Sequence, residues 1–136
     1  MLYPQIEAAL DKLLDQYRRL KSPGKYYVDG ATPLAVFYPG MATFISTMSL
    51  ICVVAILDDA LEEYIQANGN GSTANLFQRI ELLDRLGLLR NATRLHAIRD
   101  LRNACAHEKG KFMQWEEFES CFDDARCELV HLGIVA

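Results

Sequence analysis

The chain of 136 residues is 51% hydrophobic and 24% charged, a balance that fits a globular protein and excludes disordered and fibrous classes. Its net charge of −4 argues against a wholly basic nucleic-acid binder. The four cysteines (Cys52, Cys105, Cys121, Cys127) include no C-x-x-C pair, so a zinc site is not expected, and their apolar neighbours predict buried, reduced thiols.

The first predicted helix opens at Pro4, a residue suited to a first helical turn, and Ile6, Leu10, Leu13, Tyr17 and Leu20 recur along one face. Regularity then breaks at Ser22-Pro23-Gly24, Asp29-Gly30 and Pro33, and Tyr38-Pro39-Gly40 stops any helix begun at Thr32-Pro33. An irregular or hairpin-like insert is therefore expected between helices one and two. Helix two is predicted from about Met41 to Ala67, closing at Asn68-Gly69-Asn70-Gly71. Its first half is apolar nearly all round. The uncharged stretch is barely long enough for a bilayer and carries Thr43, Ser46, Thr47 and Ser49, so no membrane span is expected. A helix buried on most sides, central in a bundle or at a subunit interface, fits better.

Helix three is expected over about Ala74 to Leu86, with Gly87 past its end. Helix four follows Asn91, a good N-cap, and should end between His107 and Gly110. Helix five carries the cleanest stripe, Trp115, Phe118, Phe122, Ala125, Leu129 and Leu132, with Gly133 as its stop. The predicted fold is an all-α, single-domain bundle of about five helices. The N-terminus lacks a basic segment followed by an apolar core, so no secretory leader is expected and a cytoplasmic location is predicted.

Charge is uneven along the chain. Residues 79–111 hold eight Lys and Arg against four acids, a local +4, and the remainder is −8. Such a segment suits a polyanion such as RNA, because phosphate contacts dominate nucleic-acid affinity; it equally suits a solvated helix face with internal ion pairs.

Within it lies Arg102-Asn103-Ala104-Cys105-Ala106-His107, which places a permanent cation, an amide and an imidazole within one and a half helical turns. Metal-free RNA cleavage needs a base for the 2′-OH, an acid for the departing 5′-oxygen and a cation on the phosphate. His and Arg are the side chains suited to those tasks. Arg102 and His107, five apart, project about 140° apart around an ideal helix, whereas Asn103 and His107 share a stripe. Convergence on one ligand needs a frayed or bent helix end, or a cleft that wraps it. The plainer readings are a His favoured by the helix dipole and an Arg102 bridged to Asp58 or Glu62 at the core edge. Cys105, on the apolar stripe, reads as packing, and His96 and His131 as ordinary surface or core-edge histidines.

These residues, with Phe77-Gln78-Arg79-Ile80 and Leu86-Gly87-Leu88-Leu89, resemble the HEPN superfamily. Its members are small all-helical domains, many of them metal-independent RNases marked by R-[polar]-x-x-x-H. The similarity covers residues 76–108; before Met41 only the helix count matches. It implies Arg102, Asn103 and His107 as catalytic residues in a site shared across a homodimer, giving 2′,3′-cyclic phosphate and 5′-OH ends. No metal or cofactor is implied. Arg99, Lys109 and Asp58 are the candidate substrate-binding residues, with Asp58 orienting the arginine. The resemblance also implies a toxin or defence effector with an antitoxin or regulatory protein as partner. Toxins of this group paired with nucleotidyltransferase antitoxins carry Tyr where this chain has Lys109, so control by tyrosine AMPylation is not implied. The alternative is a non-catalytic regulator resembling mannitol operon repressors. For the dimer contact, Ile45, Val53 and Ile56 of helix two and Leu88-Leu89 are the expected apolar sources.

Overall fold

The computed structural model describes residues 3–21, 41–107 and 113–136. Among these residues five helices occur in order: α1 (Pro4–Lys21), α2 (Met41–Ala67), α3 (Leu76–Arg85), α4 (Ala92–His107) and α5 (Trp115–His131). No strand is present among the described residues. The insert expected over residues 21–40 lies almost wholly outside them.

The centre is α2, which packs against all four other helices. Leu50, Val53, Val54, Leu57, Ala60, Leu61 and Ile65 are all buried. By length and composition alone Phe44–Ala67 could cross a membrane, yet here the core is built around it. Ile45 and Val53, expected at a dimer contact, belong to this chain's own core, and Ile56, Leu88 and Leu89 pack against it. The apolar residues that α2 leaves to solvent are Phe44 (51% exposed), Met48 (43%) and, a turn further on, Cys52 and Ala55. These follow one another at helical spacing, so among the described residues the first half of α2 leaves one apolar line exposed.

Helix α1 covers α2 through Ile6, Leu10 and Tyr17. Tyr17 meets the first turns of α5, its ring 4.4 Å from Phe118 and 5.4 Å from Trp115. Its hydroxyl donates to the Glu119 carboxylate at 3.0 Å. Burial and that carboxylate together hold the phenol well above its usual range. The buried stripe ends there: Leu20, expected on the same face, is 46% exposed. The chain ends close the bundle, with Ile134 and Val135 buried and the Tyr3 amide donating to the Ile134 carbonyl at 2.8 Å.

Local signals place α3 and α4 as a pair. Asn75 caps α3, its side chain accepting from the Gln78 amide at 2.9 Å. At the other end Leu88 N donates to Leu83 O at 3.0 Å and Gly87 N to Asp84 O at 2.9 Å, the two reversed bonds of a glycine-terminated helix. Gly87 sits at φ +72°, and open space surrounds it, so backbone conformation rather than crowding selects glycine. Asn91 caps α4 by accepting from the Arg94 amide at 3.0 Å.

Candidate functional site

Two anchors from α5 hold α4 in place. Glu128, buried, accepts from the backbone amides of Arg90 (2.9 Å) and Asn91 (2.8 Å), putting a carboxylate at the positive end of α4. Arg94 Nε donates to Asp124 at 2.5 Å, and Arg94 also reaches the Ser120 hydroxyl at 3.2 Å. Buried Leu95 and Ile98 then seat the helix on α2. Towards its far end, which carries the motif, residues 101–105 are half-buried and Ala106 and His107 are exposed.

From that frame His96, Arg99, Asn103 and His107 project along one line, separated by three, four and four residues. The helix stays regular through His107, so Arg102 leaves it on a different side. Arg102 Nε donates to Asn103 Oδ1 at 2.8 Å, which ties the guanidinium to a residue on the line that ends in His107. The partner is a neutral amide, so the arginine's charge is oriented without being cancelled. Arg102 and Asn103 are half-buried, and His107 is exposed in the last turn.

The other predicted site residues are placed as follows. Arg99 Nη2 donates to Asp100 at 2.7 Å, and its guanidinium carbon lies 5.2 Å from the Phe77 ring centre. Asp58 is engaged by Arg79, not by Arg102. Arg79 Nη1 donates to Asp58 Oδ1 at 2.6 Å, and Nη2 lies 3.4 Å from Glu62. The α2 carboxylates thus do meet an arginine, but it is the one on α3, only 5% exposed. Lys109 and Gly110 lie outside the described residues.

Of the basic segment, Arg79, Arg94 and Arg99 each carry an acidic partner, so internal pairing accounts for part of its charge. His96 bonds Glu81 at 2.7 Å and is a core-edge residue, while His131 is exposed. Among the described residues no three His, Cys, Asp or Glu side chains gather as a metal site requires.

The thiols depart from expectation, because Cys52 and Cys127 are exposed and only Cys121 is fully buried. Burial pushes the Cys121 thiol up, against the opposing pull of Arg94, which makes it a poor nucleophile. Cys105 packs at the core edge as its stripe position suggested.

The residues that spacing missed are Arg79, Glu128 and Phe77. Their partners lie 17 to 38 positions away, and no periodicity reports such pairs. An arginine at a buried position of an apolar helix was the one available hint for Arg79. Compared with known proteins, the chain matches no family model, no curated protein and no solved structure.

Proposed function

We propose that the chain is a metal-independent endoribonuclease of the HEPN type, working as a homodimer in the cytoplasm as a toxin or defence effector under a protein partner's control. The observation that carries this reading is the Arg102–Asn103 bond: it ties an arginine that pairs with no carboxylate among the described residues to an amide one helical turn before the exposed His107. Arg102 stabilises charge on the pentacoordinate phosphate, Asn103 positions the guanidinium, and His107 moves protons. The 2′-oxygen attacks phosphorus after losing its proton to a basic imidazole. The bond to the 5′-oxygen breaks as that oxygen takes a proton from an acidic imidazole, leaving 2′,3′-cyclic phosphate and 5′-OH. One His107 cannot be base and acid at once, whereas two copies across a twofold axis can. The uncovered line Phe44, Met48, Cys52, Ala55 offers apolar surface for that contact.

The experiment is cleavage of a labelled RNA by purified protein with excess EDTA. Arg102→Ala and His107→Ala should each abolish cleavage while retaining wild-type circular dichroism. Activity that survives loss of His107 overturns the reading. In an Arg102→Ala/His107→Ala mixture every heterodimer holds a single His107, so the mixture should stay inactive; recovered activity would mean that one imidazole suffices.

The same uncovered α2 line favours a second reading, a non-catalytic protein-interaction module resembling mannitol operon repressors. Expression in a bacterial host separates the two. A nuclease arrests growth and is relieved by His107→Ala; a regulator is tolerated and its effect is unmoved by that substitution.

A further inference from the structure

Phe77 stands apart from the other apolar residues of α3. Leu76, Ile80 and Leu83 are buried, whereas the Phe77 ring is 47% exposed. A lone exposed aromatic needs no explanation, but this one is flanked by two planar cation-forming groups. The His96 ring centre is 5.1 Å away, and the Arg99 guanidinium carbon is 5.2 Å from the Phe77 ring centre. Each neighbour is bonded to a carboxylate, His96 to Glu81 and Arg99 to Asp100, both at 2.7 Å. The cluster is therefore a pre-ordered patch of π-faces, the kind of surface on which unpaired bases stack. It also adjoins the motif. Arg99 is one turn of α4, about 6 Å along the axis, before Asn103, and Asn103 lies one further turn before His107.

We infer that Phe77, with Arg99 beside it, is a base-stacking subsite for single-stranded RNA, seating an unpaired nucleobase next to the phosphate held at Arg102 and His107. This rests on the ribonuclease reading for the identity of the polymer. A strand whose phosphate meets Arg102 has a flanking base within reach of Phe77. Stacking reads the π-face shared by all bases, so the subsite is tolerant of sequence. It rejects duplex RNA, whose bases are already stacked and paired. The substrate class is thus unpaired RNA: loops, bulges or single strands.

The test is the affinity of a fluorescein-labelled single-stranded oligoadenylate, by anisotropy, in a His107→Ala background that removes cleavage. Phe77→Ala should weaken binding about tenfold, the loss of one stacked base. Phe77→Trp should bind at least as well as the parent. Phe77→Leu, which keeps apolar bulk without a π-face, should bind as poorly as the alanine variant. Binding of a duplex of the same strand should be equally weak in all four proteins. Retained affinity in Phe77→Leu, an equal loss in Phe77→Trp, or no binding of the single strand by the parent overturns the inference. Cleavage by the His107-containing protein is scored separately. Full stacking discrimination without cleavage sinks the nuclease reading and leaves the subsite; cleavage without discrimination does the reverse.

Discussion

Two arginines on neighbouring helices show how this chain uses the same side chain for opposite ends. Arg79 of α3 is sunk to 5% exposure and met by two carboxylates of α2, Asp58 at 2.6 Å and Glu62 at 3.4 Å. Arg102 of α4 stays half-exposed and is held by the side-chain oxygen of Asn103 at 2.8 Å. In the first case the charge is neutralised and serves the packing of α3 on α2. In the second no carboxylate among the described residues pairs with the charge, which on the proposed function leaves it able to meet an external phosphate. On the proposed function, the amide partner leaves Arg102 its charge for a ligand, whereas the carboxylate partners of Arg79 commit that charge to packing.

The sharpest way to break that comparison is to remove each arginine and follow activity and stability together. Arg102→Ala should lower RNA cleavage by at least about 100-fold, the scale of losing one transition-state donor. Its melting temperature should stay close to wild type, because surface changes move stability by only about 0.5 kcal/mol. A large loss of stability in Arg102→Ala would make it a second Arg79.

Next in size is the buried pair. Asp58→Ala leaves the buried guanidinium of Arg79 with the longer Glu62 contact alone, and should cost about 3 kcal/mol, the lower bound for stranding a buried charge. Arg79→Met fills the same space and leaves only half-exposed carboxylates, so urea unfolding should show a smaller loss. The reverse order would mean that the pair is held by Coulomb attraction in water and not by the burial of one partner. Phe122→Ala in α5, 3% exposed, calibrates the scale at about 3–5 kcal/mol.

Asn103 sharpens the other half of the comparison. Asn103→Ala should keep the Arg102 charge but lose its aim, reducing cleavage less than Arg102→Ala does. Asn103→Asp should lower activity as well, because a carboxylate there cancels the charge. Full activity in Asn103→Asp would show that orientation outweighs neutralisation.

The smallest effect is in pH dependence and concerns α1 against α5. Burial and Glu119 hold the Tyr17 phenol above its ordinary value of 10.0. The unfolded chain loses this proton near pH 10 while the folded chain keeps it. The resulting stability is complete below that pH and is lost as pH rises toward the folded value. Thermal melts taken above pH 10 should therefore fall more steeply for wild type than for Tyr17→Phe. Parallel curves would show that Tyr17 ionises alike in both states.

The helical architecture was legible in the residues because its signals are local. Pro4 opening α1, Asn91 capping α4 and Gly87 closing α3 act within a few residues of themselves, and the structure realises all three. The stripe Phe118, Phe122, Ala125 and Leu129 is likewise buried as its period predicts. The line from Asn103 to His107 followed from the same 3.6-residue geometry. Tertiary structure alone decided which arginine received Asp58 and Glu62, because either Arg79 or Arg102 satisfies the charge and only the angle between α2, α3 and α4 selects one. It alone exposed Leu20, Phe44, Met48 and Phe77, whose hydrophobicity equals that of their buried neighbours and whose fate depends on whether another helix lies opposite. It alone set the buried Glu128 carboxylate on the amides that precede α4, 37 and 38 positions away. Helix propensity, capping and periodicity are properties of one segment, whereas pairing and burial are properties of two segments and the angle between them.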